Sequence, residues 1–202
     1  MCCPFSKVTF AILWCSLFVV GLFLFYFLKS RHHRILLQEQ AIKRGGKVVQ
    51  HALIFPKLIF SWQNYQITSF ITLPAKTNPT FVIVSAVVSP LKPCVLVIER
   101  KNPWIPAMNI VFGSKKISTG AFAFDQDFTV FAKDEESPKL IVSPQLQQML
   151  LAIKEQNPLI SLQGNTLTVR ASRSAHNTQE IDALIDSTIV LLQQLKTLSF
   201  IA

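Results

Sequence analysis

The chain has 202 residues, half of them hydrophobic, with four cysteines, six glycines and a formal net charge of +9. It is too apolar for a disordered segment and too poor in cysteine for a disulfide-stapled scaffold. Residues 1–47 hold seven Lys/Arg against one acid, and the remaining 155 hold thirteen against ten. The bulk of the chain is therefore close to neutral, with dispersed cations, which argues against a nucleic-acid-binding face.

The first element is the most explicit. Between Lys7 and Lys29 run 21 uncharged residues, Val8 to Leu28. As a helix they span about 30 Å, the thickness of a bilayer's hydrocarbon core. A signal peptide's apolar region is shorter, about 7–15 residues, and ends at a small-residue cleavage site. Here the run closes on FLFYFLKSRHHR, and the Trp14 before Cys15 makes a poor lipidation site. The reading is an uncleaved transmembrane helix, with Tyr26 placed for the interface. Lys29, Arg31, Arg34, Lys43, Arg44 and Lys47 follow it, against Lys7 alone before it. That asymmetry predicts a single pass with the C-terminal domain in the cytoplasm. It also makes these six residues a candidate surface for anionic lipid headgroups, each worth about 1 kcal/mol near the membrane. Cys94 is the one cysteine beyond the span region, which fits a reducing compartment. Cys2 and Cys3 are taken as unmodified.

In RHHRILLQEQAIKRGG the helix continues as a short amphipathic stalk, broken at Gly45-Gly46 as a hinge. His32 and His33 read as interfacial side chains that add to the basic patch. The chain thus divides into a tail and span (1–30), a basic stalk (31–46) and an α+β domain (47–202).

Residues 47 to about 132 read as strands: KVVQHALIF, KLIFSW, YQITSFITL, TFVIVSAVV, CVLVIER and NIVFG, punctuated by prolines. In YQITSFITL, Tyr65, Ile67 and Ser69 fall on one face and Gln66, Thr68 and Phe70 on the other. TFVIVSAVV is continuously apolar and suits a strand buried on both faces. Ser143-Pro144 then opens a helix with Leu146, Met149, Leu150 and Ile153 on its apolar face. In LISLQGNTLTVR, a Gly164-Asn165 turn pairs Leu162 with Leu167, Ile160 with Val169 and Ser161 with Thr168. Asn177 and Glu180 form a capping-box pattern ahead of a last helix whose apolar face is Ile181, Leu184, Ile185, Leu192 and Leu195. The fold class is α+β: a transmembrane helix, a strand-rich region, then helix, β-hairpin, helix.

Motifs that carry chemistry are missing from the sequence. There is no G-x-G-x-x-G, phosphate-binding loop, G-x-S-x-G or H-E-x-x-H, and no cofactor or metal is expected. Asp125 and Asp127 would share a face on a strand, but no cation-loop pattern follows them. The segment Phe124-Asp125-Gln126-Asp127-Phe128-Thr129-Val130 has the form F-D-x-x-F-x-V. With the acidic turn, helix, hairpin and helix that follow, it resembles a loose group of uncharacterised bacterial membrane-anchored α+β proteins. The resemblance implies an N-terminal span and a β-rich domain and carries over no catalytic residues. The residues themselves suggest that Phe124, Phe128 and Val130 fill the core while Asp125 caps or turns.

The sequence leads to a membrane-anchored, non-enzymatic protein whose cytoplasmic domain binds a protein partner as an assembly or scaffold factor. Two alternatives belong to other classes. One is a membrane-tethered enzyme built on His51, His176, Glu99 or Asp127. The other is a lipid- or ligand-sensing domain.

Overall fold

The structure, a computed structural model, describes residues 5–50, 55–72, 80–91, 94–101, 113–172 and 177–202, with side chains from Phe10 onward. Helix α1 runs unbroken over Phe5–Arg44. Nine strands follow in one antiparallel sheet: β1 (Lys47–Val49), β2 (Lys57–Trp62), β3 (Tyr65–Ile71), β4 (Phe81–Val87), β5 (Leu96–Arg100), β6 (Lys115–Ile117), β7 (Phe128–Ala132), β8 (Leu159–Gln163) and β9 (Thr166–Ser172). Short helices α2 (Phe122–Asp127), α3 (Glu136–Ile141) and α4 (Pro144–Ala152) flank β7, and α5 (Thr178–Thr197) comes last. The α+β class holds. The strand expected in NIVFG falls largely outside the described residues, as does the middle of KVVQHALIF.

The strand order is β1-β2-β3-β4-β9-β8-β5-β7-β6. A four-strand meander forms one wing, and β5, β7 and β6 form the other. The β8–β9 hairpin, from the C-terminal third of the chain, sits between them. Its register pairs Leu162 with Leu167, Ile160 with Val169 and Ser161 with Thr168, as the polar and apolar positions require. A single row then crosses eight strands: Leu58, Ser69, Val84, Val169, Ile160, Ile98, Val130 and Ile117. Every member is buried, and Ser69 is the one polar side chain among them.

Helices cover this face. Residues Ile181, Leu184, Ile185, Leu192 and Leu195 of α5, and Leu146 and Leu150 of α4, enter the same core. Both helices start at side-chain caps: Ser143 Oγ accepts from Leu146 N at 3.2 Å, and Asn177 Oδ1 accepts from Glu180 N at 2.9 Å. The opposite face differs from the expectation for β4. Val82, Val84 and Ala86 are buried, whereas Phe81, Ile83 and Ser85 are half-buried and Val87 is exposed. β4 has one covered face. The strand with every residue buried is β7.

The far end of α1 belongs to this core. Leu37 is fully buried, with Leu36 and Ala41 nearly so, and burying a leucine side chain contributes about 1.5–3 kcal/mol. The helix ends at Arg44 with Gly45 at φ 65° and Gly46 N donating to Ala41 O at 2.8 Å. This glycine cap satisfies an orphan carbonyl. Gly46 cannot carry a side chain, because a Cβ there would lie 2.7 Å from Phe60 Cβ and 2.8 Å from Ile59 O.

Polar contacts hold α1 to α5. Arg44 binds Asp182 and, at 2.8 Å, Asp186. Its Nε donates to Gln40 Oε1 at 3.1 Å, and its guanidinium lies 5.9 Å from the Phe60 ring centre. Gln40 Nε2 donates to Thr178 O at 3.2 Å, Thr178 donates to Glu39, and Lys43 also binds Asp182. The Arg44 side chain is 10% exposed and that of Lys43 is 58% exposed. Arg44→Ala, which removes the contacts of a nearly buried guanidinium to Asp182, Asp186 and Gln40, should therefore cost about 2 kcal/mol. Lys43→Ala should stay within about 0.5 kcal/mol. Denaturant unfolding of the solubilised full chain separates the two, and equal effects would contradict the assignment.

Candidate functional site

The candidate site is the junction where α1 leaves its apolar stretch and enters the domain. The six cations expected near the membrane divide into two sets there. Lys29 lies 6.0 Å from the Phe25 ring centre, and Arg31 and Arg34 are exposed just past the apolar stretch. Lys43, Arg44 and Lys47 lie at the other end of the helix, about 20 Å further on for a rise of 1.5 Å per residue. Arg44 and Lys43 face α5 carboxylates, and Lys47 is exposed at the start of β1.

The sheet reaches back toward the exit of the span. β1 leaves the base of α1, and just beyond its end Gln50 Nε2 donates to Ser30 Oγ at 3.1 Å. Just before β2, the Phe55 ring lies 6.1 Å from that of His33. Gln50 and Phe55 thus both lie at the level of residues 30–33.

His33 corrects the sequence reading. His32 is exposed, but His33 is 1% exposed and its Nδ1 has no hydrogen-bond partner among the described residues. Burial, then the positive charges of Lys29 and His32, push its pKa down from 6.5 to about 4. A neutral ring adds nothing to the basic patch. The helical spacing carried the signal: His33, Leu36, Leu37, Gln40 and Ala41 form one stripe, at i, i+3, i+4, i+7 and i+8.

At Asp182, burial opposes ionisation. The hydrogen bonds and charges of Lys43 and Arg44 together outweigh it, so the carboxyl is held below the ordinary range.

The F-D-x-x-F-x-V segment is a structural knot. Asp125 and Asp127 lie on α2 rather than on a strand. Asp125 accepts from Ser118 Oγ at 2.6 Å, from Thr119 Oγ1 at 2.9 Å and from the backbone N–H groups of Thr119 and Gly120 at 3.0 and 3.1 Å. It closes the loop ahead of α2, where Gly120 has φ 82°. Phe124 and Phe128 are buried and stack with ring centres 4.8 Å apart, and Val130 is buried in the core row. A side chain that organises its own loop so fully is positioned for folding rather than for a ligand.

Of the four residues considered for an enzyme, His51 and His176 lie outside the described residues. Glu99 is half-buried on β5. Asp127 binds Lys154 Nζ at 2.9 Å. Among the described residues no group of three or more His, Cys, Asp or Glu is placed to hold a metal. A groove of about 390 Å³ lies beside α5, lined by Leu140, Gln145, Val190, Gln193, Gln194 and Thr197 with Leu198. Its polar lining is amide and hydroxyl, with no group suited to proton transfer at neutral pH.

The buried His33 gives a pH signature. Its unfolded form takes a proton near 6.5 and its folded form only near 4. Protonation therefore favours unfolding in that window. The His33 contribution to stability should fall by up to roughly 3 kcal/mol as pH drops from about 6.5 toward 4, and at lower pH the loss of the Asp182 carboxylate takes over. His33→Phe should flatten that limb in acid titrations of the solubilised chain, and an unchanged slope would contradict the buried neutral ring.

No family model matches the chain, and no curated protein matches it. Its fold is similar to the crystal structure of the mycobacterial trehalose monomycolate transport factor A, TtfA, with a TM-score of 0.57 at 9% sequence identity, over 83% of this chain and 94% of that one. At that identity the likeness is one of fold.

Proposed function

We propose that the chain is a single-pass membrane protein whose α+β domain is held at the cytoplasmic surface and serves the handling or export of an amphiphilic lipid, alone or with a protein partner. The observation that carries this reading is the continuity of α1. Among the described residues one helix is long and apolar enough to cross a membrane, and its last turns are buried in the domain core. Removal as a signal sequence would require cleavage inside a continuous helix, only a few residues from Leu36 and Leu37. A permanent anchor leaves that packing intact. The cation asymmetry about the span supports the cytoplasmic side. The fold likeness to a trehalose monomycolate transport factor supports a lipid-related role over a purely scaffolding one. The groove beside α5 offers a surface for a partner.

Three measurements bear on this. The full chain should resist extraction from membranes by alkaline carbonate, and a reporter fused after Ala202 should be active in the cytoplasm. Activity only on the far side would overturn the orientation. The chain purified in mild detergent should carry a lipid class enriched over its share of the source membrane, detected by mass spectrometry. Co-purified lipid that mirrors the bulk membrane would contradict a lipid-handling role.

A further inference from the structure

The face of the sheet turned away from α1 and α5 is not uniformly polar. One row across it reads Val49, Lys57, Phe70, Ile83, Arg170 and Leu159. Lys57 Nζ lies 5.5 Å from the Phe70 ring centre. The Arg170 guanidinium lies 5.2 Å from the ring of Phe81, which precedes Ile83 by two residues on the same face. Two cations about 14 Å apart, three strand spacings, thus bracket a strip of aromatic and aliphatic side chains. Glu99 continues the row beyond Leu159, on the far side of Arg170 from the membrane helix, and has interactions of its own.

The position of this strip is fixed by the junction. Gln50 bonds Ser30, and Phe55 lies against His33. Lys57 is two residues further along, about 7 Å. His33 is five residues past Leu28, also about 7 Å along the helix. The headgroup layer is itself about 5–7 Å deep on each side. Lys57 therefore sits at the membrane-proximal end of the open face, about a Debye length from the lipid phosphates, and the register puts Phe81 and Arg170 at the same end of the sheet. Cations beside aromatic rings are the side chains that an anionic interface attracts.

We infer that the membrane-proximal end of the open sheet face is a second attachment to the bilayer, in which Lys57 and Arg170 bind anionic lipid headgroups while Phe70 and Phe81 lie against the interface. The occupant is the membrane in which the chain is itself anchored. This rests on the anchored reading above and adds to it a lipid preference and a fixed tilt. By the same geometry the domain leans onto its open face, leaving the helical layer and its groove turned to solvent.

The test uses the full chain in lipid nanodiscs. Cys2, Cys3 and Cys15 are replaced by serine, and a fluorophore is attached at Ser85→Cys on the open face. A quencher is carried on a lipid headgroup. Quenching should be greater in phosphatidylcholine discs containing about one third phosphatidylglycerol than in pure phosphatidylcholine, and high salt should abolish the difference. The Lys57→Gln/Arg170→Gln double variant should lose it too, since two such cations together are worth roughly 30-fold in surface association. Unchanged thermal unfolding of that variant confirms that the fold is kept. Failure of the chain to enter the bilayer would overturn the anchored reading and this inference with it. Full incorporation with quenching independent of lipid composition would overturn this inference alone.

Discussion

The structure depends on how the last three turns of α1 are seated. Leu36, Leu37 and Ala41 enter the core, and Arg44 closes the end of the helix on Asp182 and Asp186 of α5. A 40-residue helix with no cap or glycine break between its apolar half and this seat behaves as one rod. The domain is therefore not suspended on a flexible linker. On the anchored reading proposed above, its height above the bilayer and the direction its sheet faces follow from the register at which α1 packs. The same contacts explain why Gly46 must be glycine: the chain turns directly onto the backbone of β2 with no room for a Cβ.

The second constraint is closure of the sheet. Among the described residues the meander β1–β4 and the wing of β5, β7 and β6 are joined in the sheet through the β8–β9 hairpin, in which Val169 pairs with Val84 and Ile160 with Ile98, far apart in the chain. Such long-range pairing makes the core slow to assemble but cooperative once formed. It also explains why one face carries the entire buried row. Helices α1 and α5 cross that face from opposite ends of the chain and are joined by the Arg44 clasp. The other face keeps its half-buried aromatics and cations, which gives the molecule two surfaces of different chemistry.

Much of this was legible in the sequence, and what was legible had a strong local cause. The hairpin register followed from matching polar and apolar positions about a Gly-Asn turn. Two helix starts followed from Ser143-Pro144 and from Asn177 with Glu180, and the long apolar helix followed from 21 uncharged residues. The misses were short or set by tertiary contacts. α2 is six residues long and is fixed by what the Asp125 carboxylate binds in the loop before it, so within the strand-rich region the sequence showed only that Asp125 caps or turns, not that a helix stands there. β4 read as buried on both faces because Phe81, Ile83 and Val87 are apolar, although nothing in composition says which apolar face a helix covers. In the candidate site, the cations were visible as a cluster. The division of labour between Arg34, which is exposed, and Arg44, which is locked to α5, depends on carboxylates some 140 residues away. His33 was hidden for a related reason: its neighbour His32 shares its chemistry but not its face of the helix.

The central claim is that the long apolar helix and the domain form one rigid body. It is tested most directly by pulsed electron–electron resonance between a spin label at Cys15, exposed in the apolar half of α1, and one at Gln193→Cys, exposed on α5, with Cys2 and Cys3 replaced by serine and the full chain in a lipid bilayer. A single narrow distance distribution is predicted, broadened when Arg44 is replaced by alanine. A broad distribution in the unaltered chain would mean that the domain swings freely beneath its anchor, and would contradict the account.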